Sequence, residues 1–405
     1  MRTAPWLAQL ELLASLPWSL EVLMPSVLYV LRQGIAADFG TFTPLDQRSQ
    51  LPGAIYAERF MSPVMQWLCQ PRDAEAVSPP LESSPSRALP QARMHDPSAF
   101  VSCTQAGLIE SMVMSDGESR RAMCLHPEYE DSVLYQRVFR PFGLRWSACV
   151  PLLDERGRAH GLLFLHRSAR AGAFSHDEMG LMRQARLALR GLTRARPPVV
   201  EKVPHRPTLQ ALVLVDARGD FVGMNEPAAE LLYRSWLPAP GSLAWSRSNV
   251  DALPRTVRQQ VLALAATQAP APTATAASTA PVVPAAHGAV LHRAGGQGGG
   301  FEFSAERLVG ARKGGPTVAV HVRALEPAEV ALARALTHWA LSPQEKRLLV
   351  QTLSAPDQYA LADSMGLTLN TLKGYVRDML RRTGFESRQA MVEGVLQGAE
   401  IACDA

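Results

Sequence analysis

Three cations recur at four-residue spacing near the C-terminus, Lys373, Arg377 and Arg381, with Arg382 beside the last. Residues four apart share a face of a helix, so the spacing predicts a basic stripe that needs an anionic surface to meet it. That is binding chemistry, not bond-breaking chemistry. The other reactive residue types are scattered. Asp216 and Asn225 have no nucleophile, general base or phosphate-cradling loop with them, and each has a local job in a turn or at a helix start. The run GGQGGG at 295–300 lacks the lysine and the strand-to-helix setting of a phosphate loop. Cys124, Cys149, His126, His160 and His166 fall at no diagnostic ligand spacing; the cysteines read as small apolar fillers and the histidines as surface groups. The expectation is therefore a non-enzyme, without a metal or cofactor site.

The basic stripe needs elements to hold it. Ser342, with Pro343 at the first helical position and Glu345 at the third, predicts a capped helix carrying Leu348, Leu349 and Leu353. Ala355-Pro356-Asp357 ends it, and Asp357 caps a second helix with Ala360, Leu361 and Ala362, stopped by Gly366. After the turn GLTLN, Thr368 caps a third helix running to about Thr383. Its Leu369, Leu372, Val376, Met379 and Leu380 form an apolar side distinct from the basic one. A fourth helix gathers Met391, Val392, Val395 and Leu396 on one face. Charge over 341–396 is near neutral in sum, so the positive charge is concentrated where a DNA-reading helix would place it.

This stretch resembles the LuxR-type helix-turn-helix domain. The match runs without gaps through Leu341-Ser342-Pro343-x-Glu345, Leu361-Ala362, Gly366, Thr371-Leu372-Lys373, Leu380, Thr383-Gly384 and Arg388-Gln389-Ala390. The resemblance implies an all-α, four-helix domain of a bacterial transcription regulator that binds double-stranded DNA as a homodimer, with its third helix in the major groove. Carried onto this chain, the DNA-binding set is Thr368, Asn370, Thr371, Lys373, Gly374, Arg377, Arg381 and Arg382. The implied dimer contacts are Met391, Val392, Val395 and Leu396. Gly374 and Tyr375 depart from the pattern, standing where a helix-favouring polar residue and a His or Asn are more usual. Glycine in a helix interior costs about 1 kcal/mol relative to alanine.

At 405 residues and 47% hydrophobic content, the chain has room for two to three ordinary cores. A net charge of +4 is too small for a general polyanion coat, so any nucleic-acid surface must be local. Five widely spaced cysteines without a CxxC pair argue against a disulfide framework or structural zinc and fit a reducing cytoplasm. The N-terminus lacks the layout of a signal peptide, and Leu16 to Leu31 is broken by Pro17, Glu21 and Pro25, so no membrane span is expected.

Residues 1–195 form the first segment. A helical period over 7–33 is punctured by prolines, short strands follow at 39–44 and 54–57, and a helix is expected at 62–69. Pro, Ser and Ala enrichment marks 71–97 as a long loop or disordered insertion, with order returning at 100–114. Then come ACVPLL, the turn DERGR and GLLFL, a hairpin. Phe174-Ser175-His176-Asp177-Glu178 is a capping box opening a helix through Met179, Leu181, Met182, Ala185 and Leu189. This end resembles a GAF domain, which implies a sheet flanked by helices that often holds a small molecule.

Within 209–325, Leu212 to Leu232 reads strand, Asp-x-x-Gly turn, strand and a helix capped by Asn225, with closing strands at 301–308 and 317–325. This resembles the opening of a PAS domain, interrupted by an Ala, Pro, Thr and Gly rich insertion over 268–300 that is expected to be flexible. Residues 326–340 carry a helical stripe of Val330, Leu332, Ala333, Leu336 and Trp339, a connector to the head at 341–405. The fold class expected is multidomain: α+β sensor modules followed by an all-α head. The function expected is a cytoplasmic DNA-binding regulator whose N-terminal modules sense a small molecule or a partner. No receiver-type acidic cluster is evident. An adaptor whose head binds RNA polymerase or another protein is the alternative, and an enzyme with a DNA-binding tail is the weakest reading because no catalytic constellation appears.

Overall fold

A computed structural model describes residues 4–45, 56–57, 124–125, 127–131, 135–193, 205–216, 218–225, 227–228, 231–232, 255–266, 290–296, 299–308 and 317–403. The expected helix at 62–69, the insertion at 71–97, the ordered stretch at 100–114 and His126 lie outside them. The chain divides into two compact units. One comprises 1–206, 239–243 and 327–405, and the other 207–238 and 244–326. The sequence reads the N-terminal segment and the C-terminal head as successive modules; in space they share the first unit.

That unit opens with α1 (Pro5–Ser15) and α2 (Leu20–Gly34). Pro5 sits where its missing amide costs nothing, and Pro25 is accommodated inside α2. A four-stranded antiparallel sheet follows in the order β2-β1-β4-β3, from β1 (Phe39–Pro44), β2 (Tyr56–Ala57), β3 (Leu144–Leu153) and β4 (Ala159–Ser168). The expected β3-β4 hairpin forms because Asp154 closes its turn: Oδ1 accepts from the amides of Arg156 (2.8 Å) and Arg158 (2.9 Å), and Gly157 takes φ +75°. Gly161 has a packing reason. A Cβ there would lie 2.3 Å from Phe42 Cζ, so only hydrogen leaves room for that ring.

The next helix, α3 (His176–Ala188), starts at the expected box: Ser175 Oγ accepts from the Glu178 amide (3.2 Å), and Glu178 Oε2 accepts from the Ser175 amide (2.8 Å). Glu178 also pairs with the buried Arg167, whose guanidinium lies 4.0 Å from the Phe174 ring centre. Helices α1, α2 and α3 pack together and against β1 and β3. Helical turns at Pro127–Asp131, Tyr135–Phe139 and Arg140–Phe142 also meet β3. Covered in this way, the strands are buried along nearly their whole length.

The second unit holds a five-stranded antiparallel sheet, β6-β5-β9-β8-β7, built from β5 (His205–Val215), β6 (Phe221–Met224), β7 (Val290–Gly296), β8 (Gly299–Leu308) and β9 (Thr317–Pro327), with α4 (Arg255–Ala266) packed on β7 and β8. Its core joins Val213, Val215, Val257, Val261, Phe301, Phe303, Val320 and Val322. Asp216 closes the β5-β6 turn with its Oδ1 on the Arg218 and Asp220 amides, and those amides hold its carboxyl below the usual range. Two expectations need correction. Residues 290–296 and 299–300 of the supposed flexible insertion are paired strand, because β7 finds the edge of β8 as a partner for its backbone. Asn225 does not cap a helix with its side chain; its Oδ1 accepts from the Leu212 amide (2.9 Å), since its own amide already pairs with the Leu212 carbonyl.

Back in the first unit, α5 (Ala328–Ala335) and a 3-10 turn Leu336–His338 are the connector, followed by α6 (Pro343–Gln351), α7 (Gln358–Ser364), α8 (Leu369–Thr383) and α9 (Arg388–Cys403). The connector is short and surrounded. Val330, Leu332, Ala333 and Leu336 are fully buried, and α5 touches α1, α2, α6 and α9. Gln9 Nε2 donates to the Ala333 carbonyl, and Trp18 Nε1 donates to Glu329 Oε2 at 2.7 Å.

Candidate functional site

The local chemistry of the head follows its caps. Ser342 and Glu345 form the reciprocal box that opens α6. Asp357 Oδ1 accepts from the Tyr359 and Ala360 amides, each at 2.8 Å, to open α7. Gly366 at φ +65° ends α7, and the Leu367 amide returns to the Ala362 carbonyl. Thr368 Oγ1 then accepts from the Thr371 amide at 3.2 Å, so α8 begins at Leu369, three residues after Gly366. Leu372 and Met379 anchor α8 in the interior.

The sequence-nominated residues are not equivalent in the structure. Asn370, Thr371, Lys373, Arg377 and Arg381 are exposed along α8, with Arg377 and Arg381 each 79% exposed. Asp378 lies 3.7 Å from Arg377 and 3.9 Å from Arg381, distances at which surface pairs contribute little. Thr368 and Thr371 share a hydroxyl hydrogen bond (2.8 Å) and belong to the cap. Gly374 leaves open space: a Cβ there would meet nothing within 4 Å. Arg382 is differently employed. Its guanidinium pairs with Glu345 of α6, which is 8% exposed. Burial alone would raise the Glu345 carboxyl, but the Ser342 amide and hydroxyl and the Arg382 guanidinium outweigh it and hold the carboxyl below its ordinary value. Arg382 thus fastens α8 to α6 rather than standing free with the other cations.

The expected dimer face is also turned inward. Met391, Val392, Val395 and Leu396 are 0%, 5%, 1% and 7% exposed, on a helix that packs against α5 and α8. Within the single chain the apolar stripe of α9 is therefore largely covered, by the connector among other elements.

Beside α8 runs an open groove of about 330 Å³, floored by Leu372, Val376 and Leu380 and rimmed by Lys373, Arg377 and Arg388, with Gln358. Arg388 is half-buried and its Nη1 is enclosed without a hydrogen-bond partner among the described residues. Burial pushes its guanidinium below the ordinary value.

A second polar cluster, missed from sequence, lies in the first sheet. His166 was expected at the surface and is 3% exposed. Antiparallel register sets it opposite Phe39 and Ser147. Its Nδ1 hydrogen-bonds Ser147 Oγ at 2.8 Å and its Nε2 Thr41 Oγ1 at 3.1 Å, while the Phe164 ring stacks on it. Cys124 Sγ reaches the Ser147 carbonyl (3.8 Å), and Cys149 is buried two residues along from Ser147 on the same strand face. Arg145 joins from β3, bonded to Glu130 (2.6 Å) and the Cys124 carbonyl (2.7 Å), with the Tyr129 and Trp146 rings 4.8 and 4.2 Å away. Alternation in sequence puts Ser147 and Cys149 on one face, but the register shift between Leu144 and Trp146 breaks the pattern at Arg145. No cluster of potential metal ligands occurs among the described residues.

Residues 20–187 match the family model of the GAF domain, a module that suggests small-molecule sensing. The match spans α2, the whole first sheet and nearly all of α3, so the His166 cluster lies inside it. No curated protein and no solved structure matches the chain. Among the described residues, no helix is long and apolar enough to cross a membrane.

Proposed function

We propose that the chain is a cytoplasmic DNA-binding transcription regulator, in which the GAF domain responds to a small molecule and helices α6 to α9 act as a LuxR-type helix-turn-helix head. The observation that carries this reading is the exposed cationic face of α8, Lys373, Arg377 and Arg381, at the end of a tight capped turn from α7. Such a helix presents its N-terminal residues to base edges in the major groove and its later cations to phosphates. Asn370, Thr371 and Lys373, near the helix start, are assigned in this reading to base edges or the adjacent phosphates. Binding as a homodimer is part of the proposal, through a surface other than the buried stripe of α9. The protein is proposed to act by binding alone, with no catalytic step.

The test is selection of bound fragments from a random-sequence duplex pool with the full-length protein, followed by footprinting of the enriched sequence. An enriched site protected by the protein is the expected result. Failure to retain any duplex, together with capture of purified RNA polymerase, would favour the adaptor reading instead.

A further inference from the structure

We propose that Arg388, together with Lys373 and Arg377, forms a phosphate-binding groove alongside α8, so that the start of α9 grips the DNA backbone as well as α8. The inference deepens the DNA-binding reading and rests on it.

The cations of the head are not equivalent. Arg382 is committed to Glu345, and Arg377 and Arg381 share Asp378 at the outer limit of an ion pair. Lys373 and Arg388 have neither a hydrogen bond nor an ion pair among the described residues. The groove that joins Lys373, Arg377 and Arg388 has no acidic residue in its lining. Three like charges therefore converge on one trough, and among the described residues only Arg377 has even a distant carboxylate beside it, Asp378 at 3.7 Å.

Arg388 makes the stronger case. Desolvating a guanidinium is costly unless an anion or a set of acceptors replaces the lost water. Nη1 of Arg388 is shut off from water and has no acceptor among the described residues. An anion entering the groove would offset that cost through the remaining donors of the same planar group, whose fork suits phosphate oxygens. The floor is apolar, with Leu372 almost fully buried and Val376 and Leu380 half-buried, so the charge that selects a ligand lies on the cationic rim. The chemistry recognised is a phosphate oxygen array. Its source on this face is duplex DNA, because the groove runs beside Lys373 and Arg377 on the helix already proposed to meet it.

The test uses the full-length protein, a labelled random-sequence duplex and a potassium chloride series, with Arg388→Gln, Arg388→Lys and Lys373→Gln compared to the parent. Each lost phosphate contact should remove about 0.9 from the slope of log K against log salt per head. Arg388→Gln is expected to lose that amount and several-fold in affinity, and Arg388→Lys to keep most of both. The melting temperature of Arg388→Gln should equal or exceed the parent's, since the variant removes an unpaired, partly buried charge. A slope unchanged in Arg388→Gln but reduced in Lys373→Gln would leave the DNA reading intact and overturn the role of Arg388. If the parent ignores the duplex but is stabilised by tripolyphosphate in an Arg388-dependent way, the phosphate groove stands and the DNA reading falls. If neither the duplex nor tripolyphosphate binds, or an acidic peptide binds in their place, the inference is wrong.

Discussion

Trp18 Nε1 donates a 2.7 Å hydrogen bond to Glu329 Oε2, joining two buried residues 311 positions apart in the chain. The residue between α1 and α2 is thereby fastened to the first turn of the connector, one helix away from the head. Gln9 makes a second such tie, from α1 to the Ala333 carbonyl, and Tyr29 a third, 2.6 Å from His338. The start of the sensor segment and the entry to the head therefore share polar contacts that two independently folded modules would not have.

Trp18→Phe should keep the ring and remove the donor, leaving a buried carboxyl oxygen unpaired. The expected loss is about 1 to 3 kcal/mol, read from urea unfolding of the full-length protein. Trp18→Phe combined with Glu329→Leu should recover most of it, because neither partner is then left unsatisfied. Equal losses in the single and double variants would show that the bond is not the source of the effect.

Lys346 of α6 is 6% exposed and has no hydrogen bond or ion pair among the described residues. Burial pushes its ammonium below the ordinary value of 10.5. The unfolded chain then holds this proton more tightly than the folded one, so the site opposes folding below its folded pKa and the penalty fades as pH rises toward 10.5. Lys346→Met should add about 1 kcal/mol at neutral pH, in line with replacement of an unpaired buried charge by an apolar chain. It should also flatten the rise of stability with pH in the alkaline range. Chemical denaturation at neutral and alkaline pH measures both.

Val395→Asp tests the inward direction of the α9 stripe. A carboxylate at a position 1% exposed has no partner supplied for it and should cost about 3 kcal/mol or more. The variant is expected to lower the melting temperature sharply rather than to shift a monomer-dimer balance while remaining folded. Sedimentation and calorimetry on the same sample separate the two outcomes.

Position along α8 should decide what each cation does. Lys373→Ala should cost about 1 to 3 kcal/mol on a selected operator and narrow the gap to random DNA, because its ammonium reaches a base edge as well as the phosphate trough, so its salt slope also falls. Arg381→Ala, two turns further along, should weaken both duplexes alike and lower the salt slope by about one phosphate's worth per head. Titrations of both variants at several salt concentrations provide the measurement. An unchanged affinity for both duplexes in both variants would place the interface elsewhere.

Much of the head was legible because its signals are local. Ser342, Asp357 and Thr368 bond to amides two or three residues away, Gly366 and Gly384 adopt the left-handed backbone that ends α7 and α8, and these depend on little beyond neighbouring residues. The same holds for the Ser175 box and the Asp154 and Asp216 turns. Tertiary structure decided whatever depends on a distant partner. The alternation of β3 and β4 could not reveal that register would set His166 between Thr41 and Ser147. The spacing of Met391 to Leu396 marked an apolar face but not whether the connector or a second copy would cover it. Arg382 continued a basic run in sequence, yet Glu345, 37 residues earlier, claimed it. Caps and turns are satisfied within a few residues, whereas burial and ion pairing depend on which helices meet, and only the assembled core determines that.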